Sequence, residues 1–362
     1  MTKSFFRIAL LSAVAFGCSG PKEETPSSKP SPRALVQGEQ ASVGPRSSAG
    51  VEPISVRLPI PIVEAGQTPF YVAADNGYYR NENLDVRFEL GSPELNPVKM
   101  VASGSDLVGV LGGPDTLLVA RSKGVPIRAI AVLHRNSNFP CLLTLKSSGI
   151  TKVKQLDGKR VGFFHGHIST DVLRNLLHKE KVKYEEVDIG FDYSQLIAKK
   201  LDAQWAFTVT AGLELPSKGV DINVISPADY GIITHGYTIF VTEEQIQKQP
   251  EKLKRFLRAT LLGVRDSLSD PEKALESLLK RDPKLDRELN MRRLRAYNSV
   301  TTDGREEPIG YMNLEMFQTT ADRLGAEKVL ATSVNAADAF TTALLPGNTG
   351  PLAQPATPTA PR

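Results

Sequence analysis

The sequence predicts an α/β protein of two lobes, and three observations carry that prediction. From Ile54 to about Leu344, short apolar runs alternate with amphipathic helical segments. Several of those runs, such as LVGVL at 107–111 and YTIFV at 237–241, are continuously apolar, as strands covered on both faces tend to be. After Val241 the pattern turns to helix almost throughout, and a late helical block behind two α/β halves packs back on the first of them. Lobe I is therefore expected to be discontinuous, over 54–135 and 240–345, and lobe II contiguous, over 139–236. The chain would cross between them near His134–Asn138 and again near His235–Tyr237.

Taken in order, the strand expectations are SVRLPIPI (55–62), DVRFEL (85–90), LVGVL (107–111) and IRAIAVL (127–133), then CLLTL (141–145) and RVGFF (160–164). VDIGF (187–191), AQWAF (203–207), INVI (222–225) and YTIFV (237–241) complete the set. Helices fall between them with clear punctuation. Thr68 can cap a helix with Pro69 at its first position, and Gly77 can end it. Gly113-Pro114-Asp115 opens DTLLVARSKG, and Ser169 or Thr170 caps DVLRNLLHKEK, where Val172, Leu173, Leu176 and Leu177 form one apolar face. Thr242-Glu243-Glu244-Gln245 reads as a capping box. Pro271 starts PEKALESLLKR, and NLEMFQTTADRLG ends in a glycine suited to a C-cap. Cys141 lies in an apolar run and is expected to be a buried small hydrophobe.

The ends of the chain read differently. Lys3 and Arg7 precede an apolar run from Ile8 to Phe16, too short to span a bilayer and suited to the centre of a secretory signal over 1–17. It closes on Ala15-Phe16-Gly17-Cys18, which resembles a bacterial lipobox, although Phe16 stands where such motifs usually hold a small residue. That resemblance implies lipidation of Cys18 and a membrane-anchored exported lipoprotein; the other reading is an ordinary cleaved signal. Residues 18–53 are rich in Pro, Ser, Gly and charge and lack aromatics, so a disordered tether is expected, with a second disordered segment at 346–362. Net charge is +4, two charges of which are Lys3 and Arg7, and the remaining basic residues are interspersed with acids. Nothing there argues for a nucleic-acid partner.

Four stretches succeed one another in a familiar order: AGQTPFYVAADNGYYRNENLDV, MVASGSDLVGVLGGPDTLLVARSKGVPIRAIAVL, LKSSGITKVKQLDGKRVGF and IGYMNLEMFQTTADRLG. Together, from about Ser55 to Gly325, they resemble the periplasmic solute-binding proteins of ABC importers, in the branch that binds thiamine-pyrimidine precursors, alkanesulfonates, taurine and nitrate. The resemblance implies a type II periplasmic-binding-protein-like fold. Each lobe would be a mixed sheet flanked by helices, closing as a monomer on a small polar solute and delivering it to a membrane permease. No cofactor is implied.

In open α/β sheets, ligands sit beyond the carboxyl ends of strands, where helix N-termini present free N–H groups. Three such junctions stand out: 67–70, 112–116 and 165–170. The candidate ligand-binding residues are Thr68, Tyr71, Gly113, Thr116, His165, His167, Ser169, Thr170 and Trp205. Phe70 and Tyr71 can stack on a planar ligand or pack in the core. Trp205, the lone tryptophan, shares a strand face with Ala203 and Phe207 and is either core or platform. Tyr193 and Tyr237 lie near the expected cleft or hinge. His165 and His167 flank a glycine in a loop and read as hydrogen-bonding imidazoles; a metal site is not expected. Asp115 at a helix start is more often a cap than a ligand contact; beside a ligand it would repel an anion and favour donors. Relatives that bind pyrimidine precursors carry acids after the strand matching LDAQWAFTVTAGLEL. Glu214 is the nearest candidate, while Thr210 and Gly212 stand where those relatives tend to have Asn and Glu.

The competing classes are an enzyme and a surface sensory or interaction module. Some eukaryotic relatives of this fold synthesise a thiamine pyrimidine, using their own His and a run of cysteines for iron. This chain has two cysteines, and it shows no G-x-S-x-G elbow, H-E-x-x-H pair or P-loop. Stoichiometric binding without catalysis is the expectation.

Overall fold

The computed structural model describes residues 50–347 apart from 93, 165–167, 191 and 303–307. The expected signal and Cys18, with most of the tether and tail and with His165 and His167, lie outside the described residues; Glu52 and Pro53, expected in the tether, instead begin the first strand, paired with Leu84 and Asp85. Lobe I begins with β1 (Glu52–Arg57), α1 (Thr68–Asp75), α2 (Tyr78–Asn81), β2 (Leu84–Glu89), α3 (Pro97–Ala102), β3 (Val108–Leu111), α4 (Pro114–Ser122) and β4 (Ile127–Val132). Then follow β5 (Pro140–Leu145), β6 (Lys159–Phe163), α5 (Ile168–Lys179), β7 (Tyr184–Asp188), α6 (Ser194–Ile197), β8 (Ala203–Phe207), α7 (Ala211–Ser217) and β9 (Ile222–Ile225), which make up lobe II. The chain returns through β10 (Thr238–Thr242), α8 (Glu243–Lys248), α9 (Pro250–Ser269), α10 (Pro271–Arg281), α11 (Arg287–Thr302) and α12 (Leu314–Ala326).

Two five-stranded sheets follow one plan, ordered β2-β1-β3-β10-β4 and β7-β6-β8-β5-β9. In each, three parallel strands are followed by one antiparallel strand and a last strand that pairs antiparallel to it. The antiparallel strand is in both cases the one that has just crossed from the other lobe. Its beginning therefore lies beside the carboxyl ends of its neighbours: Pro140 of β5 opposes Phe207 at the end of β8, and Thr238 of β10 opposes Leu111 and Val132 at the ends of β3 and β4. Both crossings thus run past the edge where an open α/β sheet binds ligands.

The central strands β3, β5, β8 and β10 are covered on both faces and are buried nearly throughout, whereas the edge strands β2 and β7 keep exposed polar positions. Along β10, Ile239 and Val241 enter one core with Ile130, Leu257 and Leu294, while Phe240 enters the opposite core with Leu117, Ile127 and Phe317. In lobe II, Ala203 and Trp205 face a core with Val161 and Leu173, and Cys141, Leu143 and Ala206 face the other. Cys141 is fully buried, and burial pushes its thiol far above the usual range.

Local departures from the sequence expectations have local causes. Strand β1 ends at Arg57 rather than near Ile62, because Pro59 and Pro61 lack the N–H a ladder needs. Thr68 makes no capping hydrogen bond: a 3-10 turn over Ala65–Gln67 starts the helix early, so Thr68 occupies the first helical position. Beneath α1, Gly263 of α9 comes so close that a Cβ there would sit 2.2 Å from the Pro69 carbonyl oxygen and 2.7 Å from Ala73 Cβ. An alanine in mid-helix ordinarily gains about 1 kcal/mol over glycine. Here backbone stands in the way, so Gly263→Ala should instead destabilise the fold by about 2 kcal/mol, measured by urea unfolding; an unchanged or raised midpoint would show that α1 and α9 are less tightly apposed.

Candidate functional site

Six backbone and side-chain bonds tie the two crossings together. Leu133 N donates to Tyr237 O (2.7 Å), Gly236 N to His134 O (2.7 Å) and Asn138 N to Thr234 O (3.4 Å). Thr234 N donates to Asn138 Oδ1 (3.0 Å), Asn136 N to His235 Nδ1 (3.2 Å) and Tyr237 N to His134 Nδ1 (3.4 Å). An Nδ1 that accepts an amide proton belongs to a neutral imidazole. Burial drives the pKa of His134 down to about 3, so it stays neutral. Asn136 and Asn138 both hold left-handed backbone (φ 49° and 47°), a conformation asparagine tolerates better than most residues.

Against this junction sits a buried acid, Glu64, in the apolar loop between β1 and α1. Its carboxyl accepts the hydroxyl of Tyr237 from the second crossing, and Tyr297 of α11 and the Gly66 amide lie close enough to favour its charged form. Desolvation outweighs these bonds and raises the Glu64 pKa above the ordinary 4.5. The loop is held by Gln67, whose Nε2 donates to Ile62 O (3.0 Å) and whose Oε1 accepts from Glu64 N (3.3 Å) and Tyr71 Oη (2.8 Å). Gly66 is small so that Tyr297 can approach: a Cβ there would lie 2.8 Å from the tyrosine ring. The ring of His134 lies 5.1 Å from those of both Tyr237 and Tyr297, and Phe139 meets Tyr297 edge-on at 5.1 Å. The result is a carboxylate with hydroxyls and aromatic rings around it at the root of the cleft, packed by its own side chains.

In lobe II, Trp205 is core rather than an open platform. Phe164 stacks on Trp205 (5.6 Å, 27°), and Trp205 meets Phe207 edge-on at 5.1 Å. Phe207 packs on the cores of both lobes, and Val209 belongs to the lobe I cluster. Trp205 Nε1 donates to Ser169 Oγ (2.9 Å), and Thr170 Oγ1 donates to Phe164 O (2.6 Å), so both hydroxyls at the start of α5 are engaged. At the outer edge Ile168 of α5 packs on the second lobe I core, and the Asp171 charge helps to raise the pKa of Glu327, after burial as the main cause.

The sequence candidates thus fall into separate groups. Ser169, Thr170 and Trp205 come together in the buried core of lobe II, beneath the start of α5. Tyr71 turns into lobe I, edge-on to Phe88 at 5.7 Å and beneath the Arg281 guanidinium at 4.9 Å; burial pushes its pKa up to about 12. Thr68 is fully buried, and its Oγ1 has no hydrogen-bond partner among the described residues. Gly113 abuts the second crossing, where a Cβ would lie 2.6 Å from His235 O, and Thr116 is half-buried one residue past Asp115. Asp115 does not wait for a ligand: it is paired with Arg323 of α12, which also holds Glu327 at 3.1 Å. Among the described residues no three His, Cys, Asp or Glu side chains are grouped to hold a metal ion. Glu64 and Tyr297 escaped the sequence reading. The available signal was a single acid, Glu64, between Ile62-Val63 and Ala65-Gly66 at a strand-to-helix junction.

An open surface hollow of about 600 Å³ lies elsewhere, lined by Pro53, Ile54, Ser55, Arg87, Gln245 and Lys252. It borders the starting ends of the lobe I strands, the edge opposite the one where α/β sheets bind ligands. We therefore place the site at the Glu64 junction.

A profile of proteins described as NMT1/THI5 like matches residues 64–274. The riboflavin-binding protein RibY of Chloroflexus aurantiacus is 25% identical over 349 residues, spanning 91% of this chain and 94% of that protein. A formylaminopyrimidine-binding protein of Halalkalibacterium halodurans is 27% identical over 285 residues, 76% of this chain and 86% of its own length. Among solved structures, the alkanesulfonate-binding protein SsuA of Xanthomonas axonopodis pv. citri, bound to MOPS, superposes with a TM-score of 0.62 at 14% identity. That match covers 81% of this chain and 99% of the other and shows a shared fold, the periplasmic-binding-protein fold.

A buried acid with a raised pKa binds its proton more tightly folded than unfolded. Its stabilising contribution is full below about pH 4.5 and is lost as pH rises toward the folded-state value. Glu64→Gln removes that loss, so its melting temperature minus that of the native chain should increase from pH 4 to pH 8. A difference independent of pH would contradict a desolvated Glu64.

Proposed function

The chain belongs to the NMT1/THI5-like family, and from that premise we propose that it is the solute-binding component of an ABC importer, taking a nitrogen heterocycle with hydrogen-bond donors. Lobe I (54–135 with 240–345) and lobe II (139–236) close about the paired crossings at 134–138 and 235–237. The observation that carries the reading is the buried Glu64 carboxylate, ringed by Tyr237, Tyr297, His134 and Phe139 at the junction of the lobes.

A carboxylate already desolvated by the protein gains most from a partner that donates N–H groups, because its Tyr hydroxyls can be exchanged for ligand donors without stranding a buried charge. A sulfonate or nitrate, which brings only acceptors, has no N–H to offer this acid. Flat aromatic neighbours suit a planar ring. Formylaminopyrimidine and riboflavin, the ligands in the names of two relatives, both meet this description. Of the sequence candidates, Gly113 adjoins the second crossing, Thr116 lies in α4, Ser169, Thr170 and Trp205 lie within lobe II, and Thr68 and Tyr71 within lobe I behind Gln67; His165 and His167 are candidates from the sequence alone. Delivery to a permease requires holding the solute intact, so the reading is capture without turnover. Cys18 carries the acyl anchor on the periplasmic side of a membrane, and the protein acts as a monomer.

A thermal-shift series on the purified full chain tests the ligand class. An aminopyrimidine or riboflavin at 100-fold its Kd should stabilise the protein by about 2.7 kcal/mol, and Glu64→Gln should abolish the shift. Taurine, an alkanesulfonate and nitrate should give none; stabilisation by a sulfonate alone, or turnover of any hit, would overturn the assignment. Membrane fractionation of Cys18→Ala should move the protein from the membrane to the soluble fraction, and retention would contradict the anchor.

A further inference from the structure

Arg293 and Tyr297 lie one helical turn apart on the same face of α11. Tyr297 reaches inward to Glu64, within lobe I. Arg293 reaches outward to α7, where its Nη2 stands 3.0 Å from Glu214 Oε2, across the boundary between the lobes. The Arg293 charge is also felt at Glu64. Its Nε is buried with no hydrogen-bond partner among the described residues, so the guanidinium is held chiefly through this one contact. Glu214 is held on its other oxygen by Lys218 (2.6 Å), which belongs to its own helix turn and its own lobe.

We propose that the Arg293–Glu214 ion pair is a latch between the lobes, and that α11 couples it to the ligand site through Tyr297. This inference rests on the two-lobed binding reading above. The pair forms when α7 comes against α11, and its attraction adds to the apolar seating of Phe207 and Val209 on the lobe I core. A ligand that engages Glu64 and Tyr297 fixes the helix face that carries Arg293, and so favours the latched form. The latch in turn raises affinity by enlarging the fraction of molecules already closed.

The test reads lobe separation directly and does not depend on knowing the ligand. Spin labels at Lys123→Cys in lobe I and Lys159→Cys in lobe II, in the full chain carrying Cys18→Ser, report the distance between the lobes' far ends by pulsed electron resonance. Both sites are exposed, and Cys141 is buried from the label. Without ligand, Glu214→Gln should lower the closed-to-open ratio by about threefold, the scale of a half-exposed ion pair. Arg293→Gln should do the same. Lys218→Ala, which removes the other partner of the same carboxylate, should leave the distances as they are. An unchanged distribution in Glu214→Gln, or an equal shift in Lys218→Ala, would overturn the latch even if a ligand binds as proposed. A negative ligand screen with the threefold shift intact would overturn only the ligand class.

Discussion

The arrangement depends on one buried carboxylate and what keeps it tolerable. Glu64 sits where water is excluded, and an isolated charge there would cost several kcal/mol. It is made tolerable by hydroxyls from two distant parts of the chain, Tyr237 and Tyr297, and by its own loop, pinned by Gln67. Remove that pairing and three elements lose their common reference: the β1–α1 loop, the second crossing and helix α11. The acid is therefore the point at which lobe I is fastened to the second crossing.

The sheet plan explains why the hinge and the site coincide. Each sheet accepts one antiparallel strand from the crossing chain, and the start of that strand must lie at the carboxyl edge of its neighbours. Two crossings at one edge bring His134, Phe139 and Tyr237 to the same spot without any of them being near another lobe's helices in sequence. The aromatic rings then close around the carboxylate, and Phe207 joins the two cores. Binding energy at this spot is well placed to alter the angle between the lobes, because it acts on the strands that connect them.

Much of the fold was legible in the sequence because it is written in local patterns. Alternation of apolar runs and amphipathic helices, Pro and Gly punctuation, and the helical block after Val241 all act over a few residues. The lobe II core was partly legible for the same reason: strand alternation put Ala203, Trp205 and Phe207 on one face, and the chain places them there. The carboxylate centre was not. Residues 64, 134, 237 and 297 are assembled only by the sheet order, and a lone Glu in a loop looks like any solvated acid. Asp115 shows the converse: its place at a helix start suggests a cap or a contact to a donor-bearing ligand, yet Arg323, far along the chain, pairs with it. Thr68 was read as a cap, and a short 3-10 turn whose first residue is Ala65 took that role from it.

Shared fold with an alkanesulfonate binder does not decide the ligand, since fold and site chemistry vary independently. What separates the alternatives is whether the ligand brings N–H donors to the acid at the centre. A crystal structure of the chain with a bound aminopyrimidine or riboflavin tests this most directly. The account predicts ring nitrogen or amino groups of the ligand within about 3 Å of the Glu64 carboxylate, with the Tyr237 and Tyr297 hydroxyls displaced toward the ligand. Density for the ligand elsewhere, with Glu64 still closed on its two tyrosines, would contradict it.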